Sequence, residues 1–537
     1  MTIARWNPPE KLSRKEEMLL KRLDRVRKLL GFLRLHRHEL FDDEFQRELE
    51  GMYRDNGSGK PAVPPAMMAM ATLVQAYLGV SDAEMVELTV VDLRVQMVLD
   101  HLGADDTAFS QGALCDFRDR LIRTDMDRRL LERTVEVARK TGGFDPRKLP
   151  RSLRLAVDSS PFEGAGRVED TFNLLGHAAR KVITCAARLL RWQPTTVAER
   201  ARVEMLLAPS IKAALDVDWS KPGEKAGALR TLVAQLDELE QWIDEHVPGS
   251  AKVVLEPHLA TLRQIRTQDL EATPGTKAPR IRRGVAMDRR VSIEDASMRH
   301  GRKSKSYTFS GYKRHIATDL DSGLIVAVAV TPANLPEKEA MPMIHQDLDL
   351  QGAQIEALHI DRGYVASETV SKVLDRGGEV ICRPWQTPNR GLFTKADFDF
   401  DLRARTIMCP NGQVHPFRVG MTVQFDAKLC DRCPVRATCT TAALGTGRAV
   451  RIAEDEPLQH RLRKLVSTPR GRARLRERIP VEHRLAHIAS RQGPRARYRG
   501  LRKNTFDLRR AAALQNLEAV HRTSPPSSPR SLLKRAA

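Results

Sequence analysis

Three acidic residues in separate parts of the chain, Asp158, Asp361 and Glu482, are the side chains whose type and setting best suit chemistry. Asp158 follows Leu153, Leu155 and Val157 in LRLAVDSSPFEGAGR, and Asp361 follows Ile355, Leu358 and Ile360 in EALHIDRGYVAS. Short apolar, β-branched runs read as strands, which puts each aspartate at a strand end. Glu482 lies in RERIPVEHRLAHI, an arginine-rich stretch that reads as helix. Taken singly, an acid after a strand is more often a turn residue. Three carboxylates that meet in the fold can instead hold two magnesium ions, hard cations that prefer oxygen, and so support phosphodiester chemistry.

Arg478 stands four residues before Glu482 and shares its helix face, where it can orient the carboxylate or contact a phosphate. A surface ion pair is the plainer alternative, and Glu477 competes for the third acidic position without the Arg-x-x-x-Glu spacing. Upstream Arg474 and downstream Arg491, Arg495, Arg497, Arg499, Arg502 and Lys503, with Tyr498 among them, form a basic region. Such a region neutralises phosphates and positions DNA without specifying its sequence. Composition agrees: 89 Lys and Arg against 68 Asp and Glu give a net charge of +21, which points to a polyanionic partner. Ser159 and Ser160 have no evident paired base, so a serine nucleophile is a weak reading. The Gly-Ala-Gly at 164–166 is too short to argue for nucleotide binding. No stretch of about 18 apolar residues and no signal-peptide pattern is present, so a cytoplasmic, nucleoid-associated protein without membrane contact is expected.

Four of the seven cysteines, Cys409, Cys430, Cys433 and Cys439, cluster in MCPNGQVHPF and KLCDRCPVRATC. Two residues separate Cys430 from Cys433, the spacing at which a turn offers two thiolates to one zinc. Cys409 and Cys439 complete a structural zinc site in this reading, with His415 as a substitute ligand; four free thiols are the alternative. The insert is expected to have too few apolar residues for a core of its own. Cys115, Cys185 and Cys382 read as ordinary buried residues.

The elements that position these groups follow from periodicity. An apolar stripe of Leu19, Leu23, Val26, Leu30 and Leu33 predicts an amphipathic helix within residues 10–50. Gly57, Ser58, Gly59 and Pro61 mark a loop. A helix over Pro65 to Leu78 follows, then one capped by Ser81 with Glu84, then one after Asp105 or Thr107 with Leu114, Phe117 and Leu121 on one face. These helices form either a DNA-reading helix-turn-helix or a packed bundle. The strand of Asp158 is followed by a helical interruption over about 170–295, either an inserted hairpin or a self-contained bundle, closed by the basic linker TPGTKAPRIRRG. From Tyr307 two strands flank an Asp-Leu-Asp-Ser-Gly turn, in which Asp319 and Asp321 read as turn residues. A helix from Pro336, the Asp361 strand, a helix from Ser367 and a strand from Glu379 complete a meander followed by parallel strands.

The strings PPAMMAMATLVQAYLGVSDAEMVE, FSQGALCDFRDRL, FSGYKRHIATD, HIDRGY and RARYRGLRKN, in this order over residues 60 to 510, make the chain resemble bacterial insertion-sequence transposases of the DDE class. The resemblance implies an α/β ribonuclease H-like core with a mixed five-stranded sheet, an all-α N-terminal domain, a helical insertion and a small zinc-ribbon-like insertion. It divides the chain into a helical domain at 1–150, for DNA-end binding or assembly, and a catalytic domain at 151–510. The latter carries the insertions at about 170–295 and 400–445, and residues 511–537 hold the end of a C-terminal helix and a disordered basic tail. It implies that Asp158, Asp361 and Glu482 bind two Mg2+ or Mn2+ ions roughly 3.5–4 Å apart, with Arg478 balancing charge. The implied reaction is cleavage at terminal inverted repeats and joining to target DNA, by a homodimer or larger assembly. The family often shows Tyr, Arg, Glu and a later basic residue; here Leu475 and Ala489 stand where the Tyr and the later base would fall. The alternatives are a silent transposase-derived regulator and a nuclease without strand transfer.

Overall fold

The computed structural model describes residues 4–23, 27–53, 62–140, 152–276, 278–386 and 389–523. Its main sheet has six strands: β1 (Ser152–Glu163), β2 (Arg299–Arg302), β3 (Thr308–Asp319), β4 (Ile325–Pro332), β5 (Gln354–His359) and β6 (Glu379–Ile381). β3 is antiparallel to β1, β2 and β4, whereas β5 runs parallel to β1 and β6 parallel to β5. Setting β2 aside, the order β4-β3-β1-β5-β6 is the expected meander followed by parallel strands. β2 is a sixth strand where five were expected. Its Arg-His-Gly-Arg sequence has no apolar alternation, and backbone pairing with the start of β3 alone makes it a strand.

The β3–β4 turn is built by its own side chains. Asp319 accepts hydrogen bonds from the Ser322 amide at 2.9 Å and hydroxyl at 2.6 Å, and Gly323 takes a φ of +70°. Asp319 is therefore a turn residue, and Asp321 pairs with Arg154 at 2.9 Å.

Among the described residues, 10–50 hold four helices rather than one long one: Arg14–Leu23, Lys28–Leu35, Arg37–Leu40 and Asp43–Glu50. Asp42 starts the last by accepting from the Phe45 amide, a cap that a continuous stripe does not reveal. The helix Pro65–Leu78 has the expected bounds, with Pro65 in its first turn and Gly79 ending it at φ +76°. Ser81 caps the next helix through the Glu84 amide. After a further helix, Leu93–Leu99, the helix Gln111–Arg123 begins after Ser110 and not after Asp105 or Thr107, because the Ser110 hydroxyl takes the Ala113 amide. The loop expected at 57–61 and the tail from 524 lie outside the described residues.

The last helix, Leu501–Thr523, joins these helices to the sheet. It is buried along most of its length and packs on Pro65–Leu78, on Met126–Lys140 and on β4. Asn516 accepts from the Ile325 amide at 2.8 Å and donates to the Ile325 carbonyl at 2.8 Å and to Thr134 at 3.0 Å. One continuous apolar core thus runs from Leu114, Phe117 and Leu121 to the sheet. The insertion after β1 has a second core, built on Leu175, Val182, Leu232, Leu236, Leu259 and Leu262, and so is a self-contained bundle. Its closing segment includes a short hairpin, Leu270–Ala272 with Pro279–Ile281, rather than a plain linker.

The cysteine insert also has its own core, contrary to expectation: Phe398, Phe400, Ile407, Phe417 and Phe425 pack together over two small sheets. Phenylalanines spread over a long, polar stretch gave no periodic signal. Among the described residues no helix is long and apolar enough to cross a membrane.

Candidate active site

The sheet register brings the two aspartates level. The last β1–β5 pair is Ala156 with His359, and Asp158 and Asp361 each lie two residues further on. Asp158 is thus inside β1, not at its end, because β1 continues along β3 to Glu163. The end of β5 opens the space between them. Asp361 caps the short turn Arg362–Tyr364, accepting from the Arg362 amide at 2.8 Å. The third carboxylate arrives on the helix Ile479–Gln492, whose apolar face of Val481, Leu485 and Ile488 is buried as the helix packs on β1 and β3. That seating turns Glu482, in the first turn, toward the aspartates.

Asp158, Asp361 and Glu482 line one cavity of about 560 Å3. Arg478 bridges two of them: one guanidinium nitrogen lies 3.3 Å from Asp158 and the other donates to Glu482 at 2.9 Å. Burial raises the Asp158 carboxyl above its ordinary range, Arg478 and the Ser159 amide oppose this, and the charges of Glu482 and Asp361 add to the rise. The carboxylates therefore repel one another across the cavity, with Arg478 lying between two of them.

Lys313, Glu337 and Tyr364 also line the cavity, and sequence reasoning did not single them out. Lys313 donates to Glu337 and to the Leu335 carbonyl, both at 2.8 Å. Glu337 leans on the Asp361 loop so closely that a Cβ on Gly363 would fall 2.7 Å from its carboxylate. The buried Tyr364 hydroxyl meets His315 Nδ1 at 2.8 Å, and His315 Nε2 meets the Thr331 hydroxyl at 3.0 Å. Burial pushes His315 down to about 3, so the ring is neutral. HIDRGY was a usable signal for Gly363 and Tyr364, whereas Glu337 in PEKEA reads only as the start of a helix.

Comparison with known families fits this geometry. A transposase DDE domain family matches residues 277–517, the part of the chain that carries Asp361 and Glu482. A second transposase domain family (DUF772) matches residues 20–120, the N-terminal helices. The chain belongs to the insertion-sequence DDE transposases. No curated protein and no solved structure matches it. The strand of Asp158 lies between the two matched segments, and the helical bundle separates it along the chain from the rest of the sheet.

In this transposase Glu477 turns away from the cavity, pairing with Arg154 and approaching His359. The basic residues expected to meet DNA all have partners within the chain. Arg491 pairs with Glu518 at 2.6 Å, Arg499 with Glu294 at 2.7 Å, Lys503 with Asp119 at 3.5 Å, and Arg474 with Glu379. Arg502 pairs with Asp127 at 2.8 Å, while Arg495 and Arg497 donate to the carbonyls of Gly164, Ala165 and Val80. Here they tie the last segment to the N-terminal helices and the sheet.

Cys409, Cys430, Cys433 and Cys439 line one small cavity, and His415 packs edge-on against Phe425 instead. Burial raises the Cys439 thiol; Arg448 opposes this, and the other three cysteines add to it. Cys115 is half-buried and not simply packed, since it donates to Asp82 at 3.2 Å. Among the described residues no three His, Cys, Asp or Glu side chains are gathered as a ready-made metal-binding group.

Proposed function

We propose that this transposase cleaves the DNA ends of its element and joins them to target DNA at the cavity of Asp158, Asp361 and Glu482. One observation carries the reading: carboxylates from three distant segments line one cavity, with a guanidinium bridging two of them. The donor set fits magnesium or manganese in chemistry, being hard oxygens whose mutual repulsion falls on Asp158. When bound there, such ions supply activation of the attacking oxygen and stabilisation of the leaving one. Asp158, Asp361 and Glu482 would hold them. Arg478, already between two carboxylates, is positioned to take a phosphate oxygen as charge builds on it. Lys313 holds Glu337 against the Asp361 loop and so fixes that loop.

Arg474, Arg491, Arg495, Arg497, Arg499, Arg502 and Lys503 form, in this reading, a basic surface for double-stranded DNA. Phosphates would compete with the internal partners of these residues. Two ends must be brought together, which calls for a dimer or larger assembly. The four cysteines suit a structural zinc that would rigidify the small phenylalanine core around them; metal analysis of purified protein, before and after chelation, tests this directly.

The decisive experiment places the gene between its own flanking terminal sequences and scores excision and integration in cells, with Asp361→Ala for comparison. Movement by wild type alone supports the assignment. Equal movement by both proteins would remove Asp361 from the site. End binding without movement would favour a regulator, and cutting without joining a nuclease.

A further inference from the structure

The turn between β2 and β3 stands at the mouth of the carboxylate cavity, and its composition differs from that of its surroundings. Residues 302–307 read Arg-Lys-Ser-Lys-Ser-Tyr, with three cations and no acid, and all six are exposed. Unlike the C-terminal arginines, each of which is held by a carboxylate or a backbone carbonyl, the side chains of Arg302, Lys303 and Lys305 have no such partner among the described residues. The turn is nevertheless well anchored. The Lys303 amide donates to the Tyr307 carbonyl at 2.9 Å, and the Tyr307 amide to the Ser304 hydroxyl at 3.1 Å. Below it, Gly301 packs so tightly on Ala333 and Phe309 that a Cβ there would come within 2.8 Å of both.

Arg302 and Lys303 line the carboxylate cavity itself. Lys303 also lines a second, open hollow of about 740 Å3 with Ser304, Tyr307, Arg314 and Pro494. The two hollows share Pro161, Lys303 and Ala489 and so adjoin, and Glu163 is the one carboxylate among the described residues lining the second. Tyr307 stands in it 45% exposed, its ring stacked on Phe309 at 6.2 Å. Unpaired cations attract a phosphate backbone, and an exposed aromatic offers a face to a base of any identity. In an intact duplex every base is covered by its neighbours; cleavage uncovers one base face at the new end.

We infer that this turn holds the cleaved DNA end. Arg302, Lys303 and Lys305 grip the phosphates next to the scissile position, and Tyr307 stacks on the terminal base that cleavage exposes. The transposase therefore binds a cut end more tightly than an uncut one and keeps the product in place for joining. This inference rests on the reading of Asp158, Asp361 and Glu482 as the cleavage site.

The test measures affinity of the full-length protein for two duplexes made from the gene's own flanking sequence, one continuous and one ending at the cleavage position. Wild type should favour the cut duplex by about tenfold, the scale of one base–aromatic stack. Tyr307→Ala should lose that preference and Tyr307→Trp should keep it. Replacing Arg302, Lys303 and Lys305 together by alanine should weaken both duplexes and lower the log–log salt slope by about 0.9 for each phosphate that is no longer neutralised. A preference that survives in Tyr307→Ala, or an unchanged salt slope in the triple variant, overturns the inference. Cleavage by Asp361→Asn at the wild-type rate would instead overturn the site reading, so the two failures are separable.

Discussion

Arg478 balances charge between Asp158 and Glu482, and its removal should act in opposite directions on two measurements. Arg478→Ala takes a cation away from the carboxylates, so Mn2+ binding by titration calorimetry should tighten several-fold. End cleavage should fall by about a hundredfold, because a group aimed at developing charge is lost. Weakened Mn2+ binding would mean that Arg478 organises the carboxylates instead of competing for them. Beneath the site, Tyr364→Phe leaves His315 Nδ1 buried without its partner and should cost about 1–3 kcal/mol in urea unfolding. The histidines also set a pH dependence. Burial pushes His315 to about 3 and His359 to about 4, so the unfolded chain binds protons that the folded chain refuses. Stability should therefore be fully present above about pH 6.5, and fall as pH drops from there toward 4. A urea midpoint that stays flat between pH 7.5 and 5 would contradict this.

Among the elements, the helix Gln111–Arg123 shows how the N-terminal helices are joined. Arg118 pairs with Asp82 in a two-bond clasp, 2.9 Å at each nitrogen, and its guanidinium lies over the Tyr498 ring. Burial acts to raise the Asp82 carboxyl, but Arg118, Gln75 and Cys115 hold it well below the usual range. Asp82→Ala strands a mostly buried arginine and should cost about 3 kcal/mol in chemical denaturation, whereas loss of the Ser110 cap should cost about 1. Equal effects would show that Arg118 finds another partner. Helix existence was legible from apolar spacing, as at Pro65–Leu78. Helix starts were less so: Ser110 and Asp42 are one polar residue among several, and only the amide that each meets distinguishes them.

At the scale of the whole molecule, three apolar cores divide the described residues unevenly. The first runs through the N-terminal helices, the sheet and the last helix, with Asn516 satisfying both backbone groups of Ile325. Asn516→Leu should therefore destabilise the N-terminal helices and the sheet together. The inserted bundle has a separate core and should open on its own, so native-state hydrogen exchange should show its protection unchanged in that variant. Joint loss of protection would show that the bundle is energetically part of the first core.

The amino-acid sequence by itself determined the three acids, the strands before the aspartates, the existence of the interruption and the order of the sheet. Each rests on local spacing or on the type of side chain that a reaction needs. Tertiary structure decided what depends on partners far away in the chain. It made β2 a strand through β3, set Asp158 level with Asp361 where β5 ends, and brought Lys313, Glu337 and Tyr364 to the same cavity. It also gave the C-terminal arginines their partners and left the cations of residues 302–305 without a carboxylate. A charge is visible in sequence; whether another charge neutralises it is settled only when the chain folds.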